Sequence, residues 1–172
     1  MMEIELTSCT LRGWRWSDRD SLIRHANNRN VWINLRDRFP HPYTIGDAQS
    51  WLESVVGARP VSNFAIAVGD EAVGGIGFSL QDDVGYRSAE IGYWLAEEFW
   101  GRGIATEALI AVSQYALNSY DLCRLFAHVF EWNPGSVRVL EKAGYSFEGR
   151  LRKSVTKDGK TIDQFMYAMT VD

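Results

Sequence analysis

Two glycines two residues apart stand where an extended run gives way to a helical pattern. They lie in Tyr93-Trp94-Leu95-Ala96-Glu97-Glu98-Phe99-Trp100-Gly101-Arg102-Gly103-Ile104-Ala105-Thr106-Glu107-Ala108. Glycine lets a backbone approach a ligand closely. The first turn of the helix that follows has unpaired N–H groups and the positive end of the helix dipole, so it suits an anion such as a pyrophosphate. Arg102 adds a formal positive charge. Spacing alone is met equally well by a tight turn into a helix. Two nucleotide motifs are excluded here: a Rossmann fingerprint needs a third glycine where Thr106 stands, and a Walker loop needs Gly-Lys-Ser/Thr, which is absent from this segment. Gly74, Gly75 and Gly77 fit neither pattern and read as a bulge or close packing inside a strand.

The elements that must position this loop follow from residue pattern. Ile4–Arg12 reads as a strand. Ser17 with Asp18 and Asp20 reads as a helix start, with a short helix over Asn28–Leu35 and another over Asp47–Val56. Phe39–Tyr43 is extended, because each proline in it disfavours helix in the residue before it. Asn63–Val68, Ala72–Leu80 and Ser88–Leu95 form a meander. Ile104–Leu117 repeats apolar residues at helical spacing. Arg124–Phe130 is a strand. Pro134–Ala143 is a helix with proline in its first turn and Gly144 beyond its end. Tyr145–Lys153 and Ile162–Thr170 flank a hairpin turn at Lys157–Lys160. The expected fold is a mixed α/β (α+β) arrangement of about seven strands and four helices, with residues 1–172 forming one domain.

Bulk composition limits the function classes. Of 172 residues, 46% are hydrophobic and 23% charged, an ordinary globular balance without low-complexity sequence. A net charge of −4 lacks the basic face that a general nucleic-acid binder needs. No apolar run is long enough to span a membrane, and Met1–Glu5 does not read as a signal peptide. Cys9 and Cys123 form no CxxC pair and read as reduced cysteines of a cytoplasmic protein. No His/Cys/carboxylate spacing suggests a metal site, and no Gly-x-Ser-x-Gly elbow suggests a covalent hydrolase.

Trp100-Gly101-Arg102-Gly103-Ile104-Ala105 resembles the Gln/Arg-x-x-Gly-x-Gly/Ala signature of the GNAT superfamily of N-acetyltransferases, with Trp100 in place of Gln or Arg. Glu90–Leu95 and Gly103–Ala108 are similar to its RimJ/RimL branch, which includes acetyltransferases of ribosomal-protein N-termini. Three further blocks match that branch in order: Leu6–Arg12; Pro42-Tyr43-Thr44 with Asp47, Ala48 and Trp51; and Asn133-Pro134-Gly135-Ser136 through Leu140–Tyr145 to Glu148-Gly149. The resemblance covers nearly the whole chain. It implies a mostly antiparallel sheet that splays after its fourth strand, Ser88–Leu95, with acetyl-CoA lying in the gap.

Carried over residue by residue, the resemblance implies that the backbone near Tyr93 and Leu95 bonds the pantetheine arm. The N–H groups of Gly101, Arg102, Gly103, Ile104, Ala105 and Thr106, behind Trp100, would cradle the pyrophosphate. Asn133 would contact the pantetheine from the other side, a role compatible with capping the helix that starts at Pro134. An amine then attacks the thioester directly, so the enzyme must orient it, stabilise an oxyanion and manage two protons. An α-amine, with a pKa near ~8, is partly neutral at pH 7, whereas a lysine amine at about 10.4 needs more help. Ser136 matches the branch's serine and is the candidate donor to the departing thiolate; the tyrosine used elsewhere in the superfamily would fall at Leu140. Glu90 shares a strand face with Gly92 and Trp94 and is the first candidate base, although a cross-strand ion pair explains it equally well. Asp163 is the second. His128 reads as a packed sheet histidine, and His25 and His41 as surface or loop residues.

The acceptor is expected among the early helices and the Phe39–Tyr43 loop, where Trp14, Trp16, Trp32, Phe39, Tyr43 and Trp51 offer apolar walls. It is either a protein N-terminal α-amine or a small-molecule amine. The competing reading is a non-catalytic acyl-CoA-binding module. Relatives are often dimers, so the resemblance also implies a homodimer.

Overall fold

The computed structural model describes residues 2–172. One eight-stranded sheet runs in the order β1-β2-β3-β4-β5-β6-β8-β7. Its strands are β1 (Glu3–Glu5), β2 (Thr10–Gly13), β3 (Asn63–Val68), β4 (Glu71–Leu80), β5 (Ser88–Leu95), β6 (Arg124–Phe130), β7 (Ser146–Lys157) and β8 (Lys160–Thr170). The helices are α1 (Arg19–Ala26), α2 (Arg29–Trp32), α3 (Ile45–Val55), α4 (Ile104–Ser119) and α5 (Pro134–Lys142). Among the described residues no helix is long and apolar enough to cross a membrane.

The fold class matches the expectation, with eight strands against about seven; the five helical segments read from the sequence each hold a helix, one more than the overall count of about four. The expected strand Ile4–Arg12 folds back on itself as a β1–β2 hairpin. Leu6 N–H donates to the Cys9 carbonyl (2.9 Å), and Glu107 of α4 accepts the amides of Thr7 (2.6 Å) and Ser8 (3.0 Å). A carboxylate 100 residues away therefore makes the turn, which no local pattern announces. The splayed strand is consequently the fifth by count, although it is the same segment, Ser88–Leu95. Ser17 does not start α1 but lies in a 3-10 turn, Trp16–Asp18, because Asp18 is drawn inward to Arg12.

Strand alternation sorts the core onto two faces. Phe64 and Ile66 pack with Ile104, Leu109 and Val112 of α4, whereas Ala65 between them packs with Trp14, Leu22 and Leu52 under α1 and α3. Glycines in β4 let the neighbouring strands lie close. A Cβ on Gly74 would lie 2.4 Å from the Trp94 carbonyl oxygen of β5, and one on Gly77 would lie 2.3 Å from Asn63 Oδ1 of β3. At the far hairpin, Asp158 (φ 51°) and Gly159 (φ 74°) give two consecutive left-handed residues, the type I′ pattern expected there.

β5 and β6 pair in parallel over Ser88↔Arg124, Ala89↔Leu125 and Glu90↔Phe126, and no further. Both strands continue, so the sheet opens beyond Glu90. The crossover between them is α4, whose start is the glycine loop.

The buried ion pair Arg12–Asp18 ties β2 to the first helical segment. Both side chains are nearly inaccessible (3% and 4%), and the pair is bidentate at 2.8 Å per contact. Arg12 also donates to the Asp70 carbonyl (3.0 Å), and Asp18 accepts the Arg15 amide (2.8 Å). Removing one partner strands a buried charge, which costs about 3–5 kcal/mol. For a domain of this size that corresponds to a melting-temperature loss of roughly 6–20 °C. Asp18→Ala is expected to show that loss by calorimetry, and the double variant R12M/D18L a smaller one.

Candidate active site

A cleft of about 1260 Å³ passes through the opening between β5 and β6. It exceeds the roughly 300–1,000 Å³ typical of one small-molecule pocket, so it has room for a long cofactor and a second substrate. Its floor is main chain. In an antiparallel ladder, alternate residues turn their N–H and C=O groups to one neighbour. Gln81 N–H donates to the Ser88 carbonyl (2.9 Å) and Ala96 N–H to the Val73 carbonyl (2.8 Å), so the even-numbered residues of β5 serve β4. The main-chain groups of Ile91, Tyr93 and Leu95 therefore face the gap where β6 has departed.

At one end of the gap lies the glycine loop. Gly101 (φ 75°) and Gly103 (φ 79°) are both left-handed, and a Cβ on either would meet nothing within 4 Å. Backbone conformation, not crowding, therefore calls for glycine here. Gly103 stands at the N-terminus of α4 with no side chain capping it. Glu107 N–H donates to the Gly103 carbonyl (3.0 Å), and the amides of Ile104, Ala105 and Thr106 before it have no helical partner. Open backbone, free amides and the positive end of a 16-residue helix fit a pyrophosphate. Trp100 borders the cleft and its indole N–H donates to the Leu95 carbonyl (2.7 Å), which staples the loop back onto β5. Arg102 does not border the cleft. Its guanidinium turns away, donates to the Glu98 carbonyl (2.9 Å) and lies over the Phe99 ring.

α5 forms the opposite wall. Asn133 caps it by accepting the Ser136 amide (3.3 Å), which fixes the helix start beside the gap. Ser136 Oγ lies 2.7 Å from the Tyr93 hydroxyl. Burial pushes the Tyr93 phenol well above its ordinary value, with the Ser136 contact opposing in part, so it stays protonated. Leu140, where a tyrosine would stand in other superfamily members, is fully buried. A tyrosine nevertheless reaches this place from β5. The sequence reading assigned Tyr93 a backbone role only, and the pairing with Ser136 depends on how far β5 and β6 diverge.

Glu90 also borders the cleft, on the other face of β5. It pairs with Arg36 from the α2–α3 connection, and its Oε1 lies 3.5 Å from His128 Nδ1. At that distance the second contact is a close charge contact, not a well-formed hydrogen bond. His128, then Arg36, hold the Glu90 carboxyl below its ordinary value against the opposing effect of burial. His128 is thus part of the cleft and not simply packed in the sheet, a placement hidden in sequence because it depends on the parallel register. Asp163 lies outside the cleft and is occupied by Arg150 (2.5 Å) and the Lys153 amide (2.7 Å). His25 is buried, not on the surface, with Nε2 2.8 Å from Glu71.

Of the aromatics expected around an acceptor, Phe39, Tyr43 and Trp51 line the cleft. Trp14 and Trp16 line a second cavity of about 410 Å³ beside the end of α3. Trp32 instead carries the buried Lys157 ammonium 3.7 Å above its ring.

Comparison with known proteins agrees with this geometry. The acetyltransferase (GNAT) domain family matches residues 9–146. An uncharacterized N-acetyltransferase, p20, of Bacillus licheniformis is 29% identical over 93% of this chain and 91% of its own. The ribosomal-protein-serine acetyltransferase of Escherichia coli is 33% identical over 63% of this chain and 60% of its own. The solved structure of Mycobacterium smegmatis RimJ in complex with CoA-disulfide superposes with a TM-score of 0.80 at 28% identity, covering 95% of this chain and 82% of that one. The chain belongs to the GNAT acetyltransferase family and is an acetyl-CoA-dependent N-acetyltransferase.

Proposed function

We propose that this enzyme transfers the acetyl group of acetyl-CoA to a primary amine by direct attack on the thioester, the acceptor being a protein N-terminal α-amine or a small-molecule amine. The observation that carries this reading is the three-pair limit of the β5–β6 ladder, which opens main chain and the glycine loop to one continuous cleft. Acetyl-CoA supplies a thioester carbon that a neutral amine attacks, the C–N bond forming as the C–S bond breaks. The amides of Gly101–Thr106 bind the pyrophosphate, and the main chain of Tyr93, the Leu95 amide and Asn133 align the pantetheine arm. Ser136 gives its Oγ proton to the departing sulfur and is backed by the Tyr93 hydroxyl at 2.7 Å. The amine arrives from the opposite face of β5, where Glu90 stands. The activity of the Escherichia coli relative on a ribosomal protein puts a serine α-amine first among the acceptors to try.

The test is release of free CoA thiol from acetyl-CoA with Ser- and Ala-initiated peptides, spermidine and benzylamine, with mass spectrometry of the acetylated product. Turnover is expected. Acetyl-CoA binding without thiol release from any amine would instead mark a non-catalytic acyl-CoA-binding module.

Ser136→Ala is expected to lower kcat by about 10²-fold, at the lower end of general acid–base effects, with the KM for acetyl-CoA within roughly threefold. Gly103→Ala acts on binding instead. A side chain at φ 79° costs about 1–2 kcal/mol, so the loop relaxes and the ligand must restore it. Steady-state kinetics should show a KM for acetyl-CoA raised by roughly tenfold, with kcat nearly unchanged.

A further inference from the structure

We propose that His128 takes the proton from the acceptor amine and that Glu90 is the residue that positions it. The inference rests on the acetyl-transfer reading above and assigns the step that reading leaves to the Glu90 side of the cleft. Register places the two together. Glu90 pairs with Phe126 in the last parallel rung, and His128 follows two residues later on the same face of β6. The next residue of β5 on that face is Gly92, where a Cβ would meet nothing within 4 Å. The imidazole therefore has a carboxylate on one side and open cleft on the other.

His128 Nδ1 is buried and makes no well-formed hydrogen bond, and Glu90 Oε1 at 3.5 Å is its acidic neighbour. A histidine retained for packing alone would be expected to have this nitrogen satisfied. Glu90 is itself poorly suited to accept the proton. It is paired with Arg36 and held below the ordinary carboxylate range by His128 and that arginine. As an anion beside Nδ1 it favours the tautomer that carries the proton there, which leaves Nε2 of this cleft-lining residue as the nitrogen able to accept.

The charged groups around the ring are Glu90 from β5 and, through Glu90, Arg36 from the α2–α3 connection. β8 presents the neutral Met166, its ladder partner, and Gln164. β6 itself contributes Phe126, whose ring meets the imidazole edge-on at 5.8 Å between centroids. In the step, Nε2 accepts one proton from the substrate ammonium and becomes part of an imidazolium. The freed nitrogen lone pair forms the C–N bond as the C–S bond breaks, and the C–S electrons go to sulfur with the Ser136 proton. The acylated nitrogen sheds its second proton through water, which restores Ser136, and the imidazolium returns its proton to water.

The experiment is the pH dependence of kcat/KM for the wild type, His128→Gln and Glu90→Gln, using whichever of the four amines above is turned over fastest. CoA affinity by calorimetry serves as the check on folding. The wild type is expected to lose activity toward acid as the imidazole becomes protonated. H128Q should lower kcat about 10²-fold, abolish that acid limb and bind CoA within threefold of wild type. E90Q should keep an acid limb and lower kcat less than H128Q does, because the ring loses its positioning but remains present. An unchanged acid limb in H128Q, or an acid limb lost in E90Q alone, overturns the proposal and makes Glu90 the base. Failure of the wild type to acetylate any of the amines is a different result: it removes the acetyl-transfer reading and the dyad's role together.

Discussion

The rest of the site depends on a ladder that stops. β5 and β6 exchange hydrogen bonds only as far as Glu90 and Phe126, and beyond that point Ile91, Tyr93 and Leu95 turn main-chain polar groups to a side where no strand meets them. Main-chain groups removed from water without a partner are costly, so such an opening persists only where the surrounding packing holds it. Here α4 and α5 do so. Ile104 and Leu109 from one and Leu140 from the other are buried in the same cluster as Ile91 and Leu95 of β5 and Val129 of β6. The hydrophobic core thus keeps two strands apart, and the stability of the fold supplies a polar trough suited to a ligand that brings its own donors and acceptors.

One strand then separates two kinds of proton chemistry by alternation alone. Tyr93 points to the α5 side and meets Ser136, whereas Glu90 points to the α1–α3 side and meets Arg36 and His128. The groups on the first side are neutral, a hydroxyl backed by a phenol that burial keeps protonated. Those on the second include a fixed anion, a fixed cation and an imidazole. A donor to a thiolate and an acceptor from an ammonium need opposite environments, and the sheet lies between them. A shift of one residue in the β5 register would exchange the two sets, and the close packing of Gly74 against the Trp94 carbonyl and of Gly77 against Asn63 opposes such a shift.

How much of this was legible in the sequence follows the range of the interactions. The glycine loop, α4, the capped start of α5 and the Asp158-Gly159 turn are encoded within a few residues of themselves, and the structure has them where the pattern puts them. The split of the first strand was hidden because its turn is made by Glu107, and Ser17 failed as a helix start because Asp18 answers to Arg12. The pairings Tyr93–Ser136 and Glu90–His128 join segments 43 and 38 residues apart across the one parallel junction. Alternation gave the face of each residue correctly, but not which strand would lie beside it. Arg102 shows the converse limit: its charge is plain in the sequence, and its direction, back onto Glu98 and Phe99, is not.

The α1–α3 side of the cleft is held by its own core and also by ties to its surroundings. His25 of α1 lies 3.3 Å from Glu98, and Asn30 of α2 donates to Glu97 (2.8 Å), so both helices grip the segment leading into the glycine loop. From the other direction the β7–β8 hairpin reaches across. Lys157 is buried, with its ammonium 2.8 Å from Asp37 and over the Trp32 ring, and Asp158 pairs with Arg29 (2.5 Å). Exposed pairs of this kind are worth little singly. The buried lysine is different, because its charge has left water and depends on the carboxylate and the ring to offset that cost. Asp37 is the neighbour of Arg36, so the contact that anchors the hairpin also fixes the residue that pairs with Glu90. The geometry around Glu90 is therefore tied to the tip of a hairpin 120 residues along the chain from Asp37, which leaves Arg36 and Glu90 little freedom to reorganise.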